Sequence, residues 1–445
     1  MPSKSANPLQ ILKSFRYSIA FLPSLLGLIY FALALGVVVP YVDPAALPDF
    51  LDWLKFKEQG TASALLSTLI AGMISLMVFS FSMVMTVLSQ AGNNFSHKLV
   101  FGLVSERPYQ RVLGHYLGTI LFILILLTVP LKGEVPSLWR SLGIYLGVIM
   151  VMHCLGLFVF FIHRVSQSVQ INAITAGLYD ETRGALAQLE SREDSERWRY
   201  MSTPPIIDES SHIVLSNYSG YIQQMDIEAV ATLAERIDGV VHLNFSFGDY
   251  TVKDFPLFKV ESTEPPSEKW RASLLGELVY VQGESPKDIY RDGLTQLMEI
   301  AIKALSPGIN DPGTARLCIH QLTGLLTRRL NLTPCNMLTD EKGHTRVTWH
   351  EERFDSLLYR VFSPIFTYGK EDLSINLALL QALKTLSLYA RTVELDALQA
   401  HAQRVMTALE RLAQDGLDRQ FINERINNGE HRLELPTLLP ESALS

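Results

Sequence analysis

Residues 61–96 read TASALLSTLIAGMISLMVFSFSMVMTVLSQAGNNFS, a run without a single Asp, Glu, Lys or Arg. As one helix this run extends about 54 Å at ~1.5 Å per residue, more than the roughly 30 Å of a bilayer's hydrocarbon core. It reads as a membrane span that tilts or continues into the aqueous phase. Within it, Thr61, Thr68, Ser75, Ser82, Ser89 and Ser96 recur at seven-residue spacing. That period keeps one seam turned toward a neighbour when helices supercoil left-handed. Beside the seam lie Ala64, Ala71, Gly72 and Gly92, small enough to let backbones approach. Two readings fit. Small and hydroxyl residues enrich helix contacts in membranes, which makes the seam a packing face. The same hydroxyls suit a water-filled path in an oligomer, closed by dewetting at Phe79, Phe81, Met83 or Met85.

Three further uncharged runs surround this one, at residues 17–39, at 116–131 with the flank 112–115, and at 141–162. Four such runs in the first 164 residues predict an α-helical integral membrane protein with four transmembrane helices. Buried core helices of a soluble protein would not be charge-free so close together. The first run is too long for a cleavable signal and no small-residue cleavage site follows it, so it reads as a retained span.

Charge near the span ends sets the direction. Lys4, Lys13, Arg16, Lys98, Arg107, Arg111 and Arg164 fall on one side. On the other, Asp43, Asp49, Asp52 and Glu58 outweigh Lys55 and Lys57, and a short connection carries Lys132 and Arg140. The basic side is expected to be cytoplasmic, with both termini there. The segment 90–111, with Gln90, Asn93, Asn94, His97 and Lys98, reads as an ordinary basic connection, or else as a pore mouth or a lipid-headgroup contact. The absence of acidic and basic residues from the four membrane cores argues against an ion-coupled pump and leaves a passive pore open. His115 and His153 are the ionisable side chains near membrane depth. Each, alone on its span, reads as a hydrogen-bonding residue within the bundle rather than a proton relay.

The remainder is acidic. Residues 1–164 carry a net +5, which leaves −12 of the chain's total −7 for residues 165–445. That balance excludes nonspecific nucleic-acid binding, which needs a basic surface. Cys154, Cys318 and Cys335 are too scattered for a disulfide framework or a zinc site. Helical spacing continues to about residue 193, predicting a stalk over 165–200. A small β-rich domain is expected over 201–285, with strands at 212–215, 220–223, 240–247, 250–252, 257–260 and 277–282. Asp226 would cap a helix over 227–237, Gly248–Asp249 would make a turn, and the stretch 248–260 resembles the hairpin of compact β-barrel and lipoyl-type sandwich folds. A helical domain is expected over 286–415, with helices at 289–305, from 312, and at 351–362, 373–389 and 394–414. Residues 416–445 read as a polar, partly extended tail.

At the first break in the helical domain the chain runs ALSPGINDPGTA from Ala304 to Ala315. Pro307 and Pro312 bracket a tight corner, with Asp311 placed to cap the next helix and Pro312 at its first position. The plain reading is a helix-to-helix corner. The functional one has Ser306, Asn310, Thr314 and Arg316 hold an anion at the helix start, opposed by the Asp311 carboxylate in the same place. Arg316 and His320, four apart, read as helix-stabilising.

This motif, with Ser219-Gly220-Tyr221-Ile222-Gln223, Phe362-Ser363-Pro364-Ile365 and Tyr368-Gly369, resembles the bacterial predicted membrane proteins classed as domain of unknown function 2254. The resemblance spans nearly the whole chain. It implies four membrane helices and a cytoplasmic domain, and it implies no activity; the expected location is a bacterial inner (plasma) membrane.

No nucleotide loop, metal triad or nucleophile motif appears, so no enzyme, cofactor or metal is expected. The leading expectation is an oligomeric channel-like or pore-forming protein, with a lipid bilayer and copies of itself as partners and a regulatory cytoplasmic domain. A membrane-anchored sensor or scaffold binding a cytoplasmic partner or ligand is the alternative, and a lipid-acting enzyme the third.

Overall fold

The computed structural model describes residues 21–38, 55–56, 58–94, 107–128, 138–168, 171–190, 197–202, 212–281, 289–332 and 335–439. The chain divides into two units, Met1–Gln170 and Ile171–Ser445.

The first unit holds α1 (Phe21–Val38), α2 (Gln59–Asn94), α3 (Arg107–Thr128) and α4 (Leu138–Ser168). All four contain stretches long and apolar enough to cross a membrane: Phe21–Val38, Gly60–Thr86, Tyr109–Thr128 and Arg140–Val165. Lipid offers no hydrophobic drive for one span to join another, so association rests on close packing. α3 achieves it with Gly114 and Gly118, four apart. A β-carbon at Gly118 would lie 2.7 Å from Tyr30 Cγ, and one at Gly114 would lie 2.6 Å from Leu26 Cδ1. Only glycine lets α1 come this near. Ala34, Leu66, Phe122 and Ile144 fill one core of the unit, and Met73, Tyr116, Cys154 and Phe161 fill a second.

The second unit combines two sheets with a helical part. It contains α5 (Ile171–Glu190), β1 (Trp198–Met201), β2 (His212–Leu215), β3 (Gly220–Met225), α6 (Ile227–Arg236), β4 (Val240–Leu243), β5 (Tyr250–Thr251), β6 (Pro256–Glu261), α7 (Glu268–Gly276) and β7 (Leu278–Val281). There follow α8 (Tyr290–Ala304), α9 (Pro312–Leu330), β8 (Met337–Asp340), β9 (Thr345–Thr348), α10 (Phe354–Gly369), α11 (Leu373–Tyr389), α12 (Thr392–Leu412) and α13 (Gly416–Asn427). The six-stranded sheet runs β1-β8-β9-β4-β6-β2, and the three-stranded sheet β5-β3-β7. Pairing is antiparallel except between β4 and β9, where Val241 lies beside Val347. Val230 and Ala234 of α6, Val241, Phe258, Val347 and Trp270 share one core. The Trp270 indole, which buries a large apolar surface, finds its acceptor in Leu233 O at 2.9 Å.

Carboxylate caps start several helices. Asp226 accepts from Ala229 N, Asp372 from Ile375 N and Asp415 from Asp418 N, each satisfying an orphan donor of the first turn.

Several expectations differ from what is seen. β8 and β9 come from within 286–415, expected to be helical, and complete a sheet whose other strands lie before residue 262. β5 and β6 do not form a hairpin: β5 pairs with β3 and β6 with β2 and β4, in separate sheets. The region 171–190 is no free stalk. α5 buries Ile174, Leu178 and Leu186 while packing on α8 and α9, and Gly293 of α8 leaves the space that Thr182 occupies. The tail expected over 416–445 begins with α13, which Ile422 and Ile426, four apart and buried, anchor to the unit.

Candidate functional site

α2 presents its hydroxyl seam away from its own bundle. Thr61, Thr68, Ser75, Ser82 and Ser89 are all exposed, as are Ala64, Ala71 and Gly72 beside them. The opposite side of the helix carries the buried Ala62, Leu66, Met73 and Ser80. One face is therefore consumed by α3 and α4, and the other, at heptad spacing, is left open. Nothing lies within 4 Å of a β-carbon built on Gly72. Ser96 and the loop residues 95–106, part of the expected mouth, lie outside the described residues, as do the side chains of Gln90, Gly92, Asn93 and Asn94.

The Thr68 and Ser75 hydroxyls need no outside partner to tolerate an apolar setting. Thr68 Oγ1 donates to Ala64 O and Ser75 Oγ to Ala71 O, both at 2.9 Å, while Thr61 Oγ1 reaches Glu58 Oε2 at 3.4 Å. Back-bonding of this kind hides the proton but keeps the oxygen's remaining lone pair available. The candidate constriction divides. Phe79, Phe81 and Met85 are 56%, 56% and 46% exposed, on or beside the open face. Met83 packs into the inner core instead, and Phe79 also touches Phe158 of α4, ring to ring at 5.9 Å.

The Ser306–Arg316 corner joins α8 to α9. Asn310 takes φ +49°, which asparagine tolerates better than most side chains. Asp311 caps α9: Oδ1 accepts from Thr314 N at 3.1 Å and Oδ2 from the Thr314 hydroxyl at 2.6 Å. The hydroxyl first, then the amide, holds the Asp311 carboxyl below the usual carboxylate range. Ser306 Oγ turns back to Lys303 O at 2.6 Å, and Arg316 is exposed. The Thr314 donors that an incoming anion would use are thus already spent on Asp311, and the Ser306 hydroxyl on Lys303 O.

Two arrangements were not foreseen. In the second unit a cavity of about 660 Å³ is lined by Gln188, Gln223, Phe247, Glu277, Tyr290 and Trp349, among others. Beside it Tyr290 OH donates to Glu351 Oε1 at 3.0 Å and accepts from Arg329 Nε at 3.2 Å. Burial, reinforced by Glu351, pushes the Tyr290 phenol up to about 12. Glu352 takes Arg291 Nε at 3.0 Å and Arg360 at 3.0 and 2.9 Å. No spacing in the sequence links residues 188, 223, 277 and 349, so only the fold assembles this wall. In the first unit His115 and His153, expected to act singly, stand next to each other with Tyr30. Among the described residues no group of three or more His, Cys, Asp or Glu side chains is arranged to hold a metal.

Comparison with known proteins agrees with the reading as a membrane protein. Uncharacterized proteins of Mycobacterium bovis and Mycobacterium tuberculosis are each 26% identical to this chain over 371 residues, covering 80% of it and 70% of the relative. No solved structure matches the chain. The family model described as predicted membrane protein (DUF2254) matches residues 16–385, and the chain belongs to that family.

Proposed function

We propose that this protein is an oligomeric, channel-like protein of the bacterial inner membrane, without enzymatic activity, in which copies meet along the second span. The observation that carries the proposal is the outward-facing seam of Thr61, Thr68, Ser75, Ser82 and Ser89. An amphipathic stripe at a strict heptad interval is wasted on lipid, whereas a neighbouring helix or a file of water uses both its shape and its oxygens. Phe79, Phe81 and Met85 supply bulky apolar side chains at the same face, the chemistry of a gate that closes by losing water. The distribution of Lys and Arg supports both termini and the second unit lying on the cytoplasmic side, where that unit acts as the regulator.

Reconstitution into planar bilayers tests the reading. Currents are expected whose size changes in Ser82→Phe. Silence across voltage, tension and pH, with protein shown to be inserted, would overturn it. The 660 Å³ cavity favours a second reading, a membrane-anchored sensor for a small ligand. That reading expects a bound metabolite to co-purify with the intact protein whether or not current flows.

A further inference from the structure

α3 and α4 each carry one histidine at depth, and the fold sets the two rings together. The centroids of His115 and His153 are 5.3 Å apart, with the planes at 81°. From α1, Tyr30 OH lies 2.7 Å from His115 Nδ1, and its ring is edge-on to the imidazole at 5.8 Å. His115 is half-buried, while His153 is on the outer face of the unit. Along α4, His153 stands about 20 Å from Arg140 and about 16 Å from Arg164 at ~1.5 Å per residue, so it is far from either end. Ionisable groups so placed are costly and mark function more often than ordinary packing positions do.

The surroundings offer no counter-charge. From α4, Cys154 contributes a thiol, 3.3 Å from Thr119 Oγ1 and directed at the His115 carbonyl oxygen at 3.7 Å. On α3 the flanking groups are the Tyr116 phenol and, one turn toward the helix start, Arg111. α2 brings Met73, Leu76 and Met77 to the adjoining core. None of the four spans contains Asp or Glu.

We propose that Tyr30, His115 and His153 form a proton-binding site within the membrane unit, one that holds a single proton between two imidazoles. When Tyr30 donates to Nδ1, His115 carries its own proton on Nε2. Adding a proton to Nδ1 reverses the bond: Nδ1–H then donates to the phenol oxygen, and the phenol proton is released to face elsewhere. Tyr30 thus supports the neutral and the charged ring in turn, with no heavy atom displaced. The second imidazole cannot be charged at the same time without placing two cations 5.3 Å apart among apolar helices. The ligand is the proton, and its binding changes the charge of the α1–α3–α4 contact from zero to one. The inference is independent of the seam on α2.

The test uses full-length protein in lipid nanodiscs with ¹⁵N-labelled histidine, titrated by solid-state NMR. His115→Gln and His153→Gln assign the two resonances by difference and retain hydrogen-bonding capacity. The expected wild-type result is two separated protonation steps for this pair. Either Gln variant should convert them to one step, moving the remaining ring's midpoint by at least about one pH unit. Tyr30→Phe, a milder change, should shift the His115 Nδ1 resonance of the neutral protein. Two rings that titrate as independent groups, each indifferent to replacement of the other, would overturn the proposal. So would an Nδ1 signal unaffected by Tyr30→Phe. Both readouts are available whether or not the protein conducts.

Discussion

The ammonium of Lys384 donates to the carbonyl oxygen of Ile426 at 2.9 Å, and the same nitrogen also reaches Arg425 O at 3.1 Å and Asn428 O. Lys384 is 1% exposed and sits on α11, so a buried cation on one helix closes the C-terminal end of another, α13. The last carbonyls of a helix lack internal partners and carry its negative dipole end, which suits a cation. Replacing Lys384 with Met keeps the volume and removes the donor from three carbonyls, that of Ile426 buried and those of Arg425 and Asn428 partly so. The expected cost is about 2 kcal/mol, with α13 released first. Limited proteolysis should cut near residues 413–416 in K384M under conditions that leave the wild type intact. Uniform loss of stability without early cleavage there would contradict the assigned role.

α13 also shows where sequence reading stops. Its polar faces and its only buried pair, Ile422 and Ile426, look like a tail until α11 supplies the lysine, some forty residues upstream. The caps at Asp226 and Asp311, Pro312 at the start of α9 and the whole of Leu373–Tyr389 were legible because their signals are local. β8 and β9 were not. Each has four residues; they pair with each other across a short turn at Gly343, but the outer partners that tie them into the sheet, Trp198 opposite Asp340 and Val241 beside Val347, are more than a hundred positions away. At the candidate site the heptad seam was legible, but its outward direction was not, since only packed helices show which face is used. The histidine cluster was hidden for a similar reason: Tyr30, His115 and His153 share no period. The glycines at 114 and 118 carry a spacing with a known packing use, and that signal was available.

Those two glycines yield a second prediction. A β-carbon at Gly118 would come within 2.7–3.1 Å of three Tyr30 carbons. Gly118→Ala should force α1 away from α3 and destabilise the membrane unit by about 1–3 kcal/mol. Gly72→Ala, on the open face of α2 with no neighbour within 4 Å, should leave the isolated unit's stability unchanged. Thermal unfolding of the detergent-solubilised monomer distinguishes the pair, and equal losses would argue against the α1–α3 contact.

Acid should weaken the second unit in two stages. Burial, and then the Arg404 charge, lowers the pKa of His401; burial, and then Lys384, lowers that of His431. The unfolded chain therefore binds more protons as pH falls through the ordinary histidine range near about 6.5. Stability is complete above that range and declines below it. A second decline follows near the carboxylate range, as Asp311, Asp340 and Glu394, all held low in the folded state, take up protons. Melting temperature measured from pH 8 to pH 3 should show both stages, and His401→Gln with His431→Gln should flatten the first only.

Asp311 separates the two readings of its corner. Asp311→Ala removes both bonds to Thr314 and should cost about 1 kcal/mol, seen as a lower unfolding midpoint. If the corner instead binds anions, removing the competing carboxylate should create affinity at the start of α9. Phosphate would then raise the melting temperature of D311A well above its effect on the wild type. A midpoint that falls in D311A and stays indifferent to phosphate supports a structural corner.

The open face of α2 makes the last prediction, and it concerns the intact membrane. If copies meet along the seam, cysteines placed there should pair across a symmetry axis, because a residue on a heptad seam faces its own counterpart in a parallel assembly. In a background with Cys154, Cys318 and Cys335 replaced by Ser, Thr68→Cys and Ser75→Cys should give disulfide-linked dimers on mild oxidation. Met73→Cys, 1% exposed and turned into the bundle, should not. A ring of copies with a central path adds one requirement that simple packing does not share. Cysteines at 68 and 75 should then react with a small water-soluble methanethiosulfonate reagent when left unoxidised, because water reaches the seam. Dimers without such labelling would mark the seam as a dry contact, keeping the oligomer and removing the pore. Labelling at 68 that stops at 75 would instead locate the barrier between them, about one to three turns before Phe79.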